Sequence, residues 1–397
     1  MPRFNAVRAA IFIVAVGFPL LVFVNATVRA PADEVRLQDF AMFYTAADLA
    51  NQGRWDEAYD LPAFTAHFSR VTGVPTEPGG PSYGYPPPFA QVLAPLTAVA
   101  SLGWASLLFV GLTGALAVWR FRRLGASGRG ILLLTLAYPF VLSVWLGQNS
   151  LFSFAVAAAM AGSVLGGRDL AAGLLLGLLV YKPQLLGALA VMFLLAPRRY
   201  ARVLAGAAAS ASAILGISAV LDFGAWREFP DGLRQLVSMS GNNFRIGRVS
   251  AIDFSLLLLG DRNLFAYVLG AVLAIAGVWW FVAVRRRVGG DRELEVAAGI
   301  VLASWLNPWM FVYEWVLLAV PALILVRKGL IGRTQGALMY LAICVGGFLG
   351  VTAAGEQVKD HGTAIHVAVP AFVVVAAMAF RRAGSLETPS ESVTGTT

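Results

Sequence analysis

The sequence predicts an all-α polytopic membrane protein of about twelve transmembrane or re-entrant helices, with a helical first external loop. Three observations carry this. Of 397 residues, 58% are hydrophobic and 13% charged, whereas soluble domains carry about a quarter charged residues. Apolar runs of membrane-spanning length recur from end to end. The basic residues gather in short clusters between those runs: Arg3/Arg8, Arg120/Arg122/Arg123, Arg198/Arg199/Arg202, Arg285–Arg287, Arg327/Lys328 and Arg381/Arg382. Clusters of this kind mark cytoplasmic loops, so the net charge of +8 calls for no nucleic-acid partner. Cys344 is the single cysteine and lies in an apolar run. No intramolecular disulfide and no cysteine metal site are therefore expected.

If every basic cluster faces the cytoplasm, each interval between neighbours crosses the membrane an even number of times. The run Ala9–Val28 follows Arg3 and Arg8 as a signal peptide would, but its apolar stretch is longer than a signal core, so an uncleaved first helix is expected. The chain then forms an external loop over 31–87 and returns through 88–119. Residues 130–146 lead out to GQNS (147–150), and 151–166 lead back. Residues 203–221 go out to a second external loop, 222–262, and 263–284 return. A last pair, 334–352 and 367–380, encloses a short polar turn. Residues 1–382 are read as one membrane domain; 383–397, rich in Ser and Thr, as a disordered cytoplasmic tail.

Two intervals are too short for two full spans. Between Asp169 and Arg198 the only charge is Lys182, and both ends should be cytoplasmic. The chain must turn at Lys182-Pro183-Gln184, leaving arms of about 18–20 Å against a hydrocarbon core of about 30 Å. Pro183 supplies the break. The interval Glu295–Arg327 should turn likewise at NPWMFVYEW (307–315), with Glu314 as its internal charge. Short arms meeting at polar breaks are how membrane proteins build sites at depth.

The first loop, between Pro31 and Phe89, is the longest polar interval. It holds Asp33, Glu34, Asp39, Asp48, Asp56, Glu57, Asp60 and Glu77 against three arginines. Within it, LQDFAMFYTAADLANQGRWDEAYD reads as a short amphipathic helix with Asp39 at its start. Asp39 is either a first-turn carboxylate favoured by the helix dipole or a catalytic base. The YGYPPPF stretch (83–89) reads as a rigid re-entry into the membrane, with Tyr85 a candidate for substrate contact.

Lys182 is the sharpest physical signal, because an ammonium at depth needs water, a carboxylate or an anionic ligand. It either holds a phosphate or pairs with Glu314. Gln148 and Asn149 sit at an external helix junction, where Asn149 either caps the next helix or binds sugar. Arg245 and Arg248 of the second loop can grip an anionic head group or a lipid surface. His361 stands at the outer edge as a further substrate contact. His361 and His366 have no matching ligand cluster, so no metal site is expected. Phosphate-cradling glycine motifs are absent from the sequence, as is an Asp-x-Asp pair.

The order of these pieces carries a resemblance. QDFAMFYTAADLANQGRWDEAYD, YPPPFAQVLAPL, GQNSLF, AAGLLLGLLVYKPQ and NPWMFVYEW, spread over 35–330, together resemble glycosyltransferase family 87. This is a family of bacterial membrane enzymes of the GT-C type that includes polyprenol-phosphate-mannose-dependent α-mannosyltransferases. The resemblance implies that a hexose, with mannose first in line, passes from a polyprenyl monophosphate to a hydroxyl of a glycan or glycolipid, with inversion, on the outer face of the cytoplasmic membrane. It places the family's acidic loop residue on Asp39, as base for the acceptor hydroxyl. Lys182, with Arg245 and Arg248 behind it, would meet the phosphate. No cofactor is implied. Asn307 and Glu314 stand where many relatives have Ser and Asp, which keeps the acid. A flippase or transporter of lipid-linked sugars is the rival from another class; it too would need a lysine at depth.

Overall fold

The computed structural model describes residues 38–76, 80–239, 250–259, 263–356 and 376–381. The first apolar run, Arg245, Arg248, His361, His366 and the Ser/Thr-rich tail lie outside the described residues. Within them the chain is helical, with no β-strand. Three helices are long and apolar enough to cross a membrane, and a fourth span is available if one bent pair counts as a unit.

The external-loop helix expected around Asp39 is present but divided. Helix α1 (Gln38–Asn51) ends where Gly53 takes a left-handed φ of 71°, a conformation that costs glycine nothing. Then come α2 (Trp55–Tyr59) and α3 (Leu61–Thr72). Asp60 caps α3 by accepting from the Ala63 N–H at 2.9 Å, and Pro62 opens its first turn, as helix N-termini favour. Nor is α1 simply amphipathic. Phe40, Ala41, Phe43, Thr45, Ala46, Ala47 and Leu49 are all buried, so protein surrounds it on most sides.

Residues 88–119, expected as one return pass, form two helices instead: α4 (Pro87–Val99) and α5 (Leu102–Arg123). Pro87 starts α4 as the YPPP stretch predicted. The break comes at Ala100, whose backbone is extended and whose carbonyl accepts from the Tyr44 hydroxyl at 2.8 Å. That bond satisfies a group the broken helix leaves open. The segment 130–146, expected as an outward pass, is likewise bent by 57°, between α6 (Gly128–Leu136) and α7 (Tyr138–Leu146). Pro139 at the second position of α7 accounts for the bend. Helix α8 (Ser150–Leu165) is buried along almost its whole length and forms the centre of the bundle.

Both predicted hairpins are present as helix–turn–helix units. The first is α9 (Asp169–Gly177) with a 3-10 turn (Leu178–Tyr181), a break at Lys182, and α10 (Pro183–Leu194). The second is α15 (Arg292–Leu306), a 3-10 turn (Val312–Leu318) and α16 (Ala319–Arg327). Between them run α11 (Ala201–Leu221), α12 (Phe223–Met239), α13 (Ala251–Leu259) and α14 (Leu264–Arg287); α17 (Arg333–Glu356) follows. Ion pairs show that both hairpins start and finish at one end of the bundle. Asp169 meets Arg292 at 3.1 Å and Arg199 meets Glu295 at 3.0 Å, so the two feet of the first hairpin rest one turn apart on α15. In the second, Arg327 meets Glu293 at 2.5 Å and Lys328 meets Asp291 at 2.6 Å. Arg285 joins the same end through Glu295 at 2.5 Å, and Arg327 donates to the Leu124 carbonyl at 2.8 Å. Basic clusters far apart in sequence thus share one end, as the parity reading requires.

The two loops expected to be external also share a side. The Leu61 N–H donates to Gln235 at 3.1 Å, and the Tyr59 ring packs against Phe229 at 5.7 Å between centroids. In the bundle, Gly173 and Gly177 of α9 face the backbone of α11 at Val203 and Ala207, with Gly206 of α11 opposite Leu170. Small residues permit this backbone-to-backbone approach.

Candidate active site

The tips of the two hairpins meet beneath the start of α1. At the first tip Lys182 has φ −123° and ψ 74°, outside helical values, because the proline that follows disfavours helix there. Its ammonium forms an ion pair with Glu314 at the second tip, and the two side chains are only 3% exposed. The pairing expected as one of two roles for Lys182 is therefore formed. Glu314 Oε2 has no hydrogen-bond partner among the described residues, so the carboxylate is half engaged. The Lys182 ammonium also lies 6.0 Å from the centre of the Tyr181 ring. Tyr181 is anchored by Ser153 at 2.8 Å and stacks on Phe89 at 5.0 Å and on Tyr85 at 6.5 Å. Phe43 closes this aromatic wall edge-on to Tyr85 at 5.2 Å. It lies four residues from Asp39 and so on the same face of α1.

Asp39 stands in the first turn of α1, and its side chain bonds outside that helix. Its Oδ2 accepts from Gln148 Nε2 at 2.9 Å, across 109 residues of sequence. Asp39 as a residue is half-buried, and burial pushes its carboxyl pKa up to about 6; the Gln148 hydrogen bond and the Lys182 charge oppose that rise. Desolvation thus wins over two favourable contacts.

The GQNS junction is built to deliver those contacts. Gly147 ends α7 with a left-handed φ of 68°, and the Gln148 N–H returns to the Ser143 carbonyl at 2.8 Å. Asn149 occupies the position before α8, yet its side chain makes no capping bond. It is fully buried, and neither polar atom of its amide has a partner among the described residues. The Tyr85 phenol lies beside the Gln148 and Asn149 amides, without closing a bond of good geometry to Asn149. Burial first, and then the Glu314 and Asp39 carboxylates, hold that phenol protonated by raising its pKa. On the far tip, Asn307 accepts from the Trp309 N–H at 3.1 Å and shapes the turn that presents Glu314.

Six of the expected residues are thus gathered in one place: Asp39, Tyr85, Gln148, Asn149, Lys182 and Glu314. Tyr181 was not singled out from sequence; its position beside Lys182 was the available signal. His67, buried and bonded to Asp48 at 2.7 Å and to Arg70 at 2.8 Å, was also passed over. No motif spacing marks that trio, which braces α3 against α1.

No curated protein and no solved structure matches the chain. The family model described as glycosyltransferase family 87 matches residues 83–312. That stretch contains Tyr85, Gln148, Asn149 and Lys182; Asp39 precedes it and Glu314 follows within two positions. With more than half its length matched, the chain belongs to glycosyltransferase family 87, a family of membrane enzymes that transfer sugars.

Proposed function

We propose that the protein transfers a hexose, mannose in the first instance, from a polyprenyl-monophosphate donor to a hydroxyl of a glycan or glycolipid. The reaction runs on the outer face of a bacterial cytoplasmic membrane, within a GT-C-type bundle of about twelve transmembrane or re-entrant segments. One observation carries this most directly: a half-buried aspartate, Asp39, stands beside a buried ammonium, Lys182, where the tips of two hairpins meet.

Asp39 takes the proton of the acceptor hydroxyl as its oxygen bonds to the anomeric carbon. The bond from that carbon to the phosphate oxygen breaks on the opposite face, inverting the centre. The leaving polyprenyl phosphate gains one negative charge, which Lys182 is placed to stabilise. Because phosphate leaves readily, one carboxylate suffices, unlike the two of glycoside hydrolysis. A carboxylate near pKa 6 is mostly ionised at neutral pH yet more basic than an exposed aspartate, which suits a general base. Asn149, with an amide that no described residue satisfies, is the natural partner for a sugar hydroxyl. Tyr85 and the stacked Tyr181–Phe89 pair offer an aromatic wall beside it. Glu314 sets the resting position of Lys182. Arg245, Arg248 and His361 remain proposed contacts for the anionic head group.

The test is purified protein incubated with polyprenyl-phosphate sugars and membrane acceptors. Asp39→Asn is expected to abolish transfer, by about two to four orders of magnitude as for loss of a general base, while donor binding survives. Equal transfer by the variant and the parent would remove Asp39 from the reaction. Translocation of a labelled lipid-linked sugar by both proteins, without transfer by either, would favour the flippase.

A further inference from the structure

The Gln148 amide, read from sequence as a substrate contact, is engaged within the protein at both ends. Oε1 accepts from the Asn149 N–H at 2.8 Å, and Nε2 donates to Asp39 Oδ2 at 2.9 Å. The first bond fixes the orientation of the second: with a backbone N–H on one side, the atom facing Asp39 must be the NH2 group. The side chain is 4% exposed, and its backbone is pinned to Ser143 behind the left-handed Gly147. Asp39 Oδ2 is thereby occupied, and Oδ1 receives no hydrogen bond from any described residue.

We infer that Gln148 is a positioning residue rather than a substrate contact: it locks the Asp39 carboxylate so that Oδ1 alone is presented to the acceptor hydroxyl. This rests on the base role proposed for Asp39. The charged and titratable groups around that carboxylate are Lys182 from the first hairpin tip, Glu314 behind it on the second, and Tyr85 from the YPPP stretch. The Tyr85 phenol is a second neutral donor among them, but the side chain hydrogen-bonded to Asp39 is that of Gln148. A fixed carboxylate avoids rotating between two proton-accepting oxygens, and a misplaced catalytic group can lower the rate by roughly a hundredfold.

Two variants of matched size separate the possibilities in the full-length enzyme. Gln148→Met removes the donor; Gln148→Glu sets a second acid against Asp39. The readout is the pH dependence of kcat/KM, whose acid limb reports the base in the free enzyme. In the parent that limb should fall near pH 6 and be missing in the residual activity of Asp39→Asn. With the hydrogen bond gone, the carboxylate is less stabilised, and the limb should move up by about one pH unit in Gln148→Met. It should move further in Gln148→Glu, since paired carboxylates resist ionising together. In Gln148→Met, kcat should drop roughly ten- to a hundredfold with donor KM unchanged. An unmoved limb with a raised KM for donor or acceptor would return Gln148 to the substrate contacts. A parent profile with no acid limb would instead bring down the base role of Asp39 and this inference with it. Should Gln148→Glu fail to fold, Gln148→Met alone still decides.

Discussion

At the scale of single residues, the central question is whether Lys182 serves a ligand or only Glu314. The pair is buried, and removing one partner of a buried pair strands the other charge. Lys182→Met should therefore destabilise the protein by about 3–5 kcal/mol. The double variant Lys182→Met/Glu314→Leu should recover most of that stability, measured by thermal unfolding in detergent. Transfer should remain lost in both. A double variant that regains transfer along with stability would leave Lys182 a structural charge. These residues were visible in the sequence because charge is rare and conspicuous in an apolar chain. Asp39 was not, since its loop holds eight acids and only the resemblance singled it out. Which way the Gln148 amide faces could not be read from sequence at all, because it depends on a hydrogen bond spanning 109 residues.

At the scale of elements, packing between α9 and α11 is set by glycine. A Cβ on Gly173 would run into the Val203 carbonyl, whereas one on Gly187 of α10 would meet nothing within 4 Å. Gly173→Ala should cost at least about 1–3 kcal/mol, because backbone cannot yield as a side chain does. Gly187→Ala should be neutral or stabilising by about 0.5–1 kcal/mol. Equal effects of the two on the unfolding midpoint would contradict the close approach of these helices. The hairpins themselves were legible, since parity demanded a turn and Pro183 marked it. The break at Ala100 was not. No proline or glycine stands at the break, and its carbonyl is satisfied by Tyr44, a partner that local sequence cannot reveal.

For the whole molecule, one end gathers the ion pairs of the hairpin feet, and the opposite end carries the loops and the proposed site. The native Cys344 is buried, so single introduced cysteines can report sidedness. A cysteine at exposed Asp56 should react with a membrane-impermeant maleimide in intact spheroplasts. One at exposed Arg198 should react only after permeabilisation. The reverse pattern would put the site on the cytoplasmic face and overturn the proposed donor geometry. Both hairpins rest their feet on the same few residues at the start of α15, where Asp291, Arg292, Glu293 and Glu295 bind Lys328, Asp169, Arg327, Arg199 and Arg285. This short stretch works as a common hinge plate, with the reacting groups carried at the far ends of the arms. One residue spliced in between Arg292 and Glu293 would turn the partners on either side by about 100° relative to each other. The lysine and glutamate would then part at the tips, although neither had been touched.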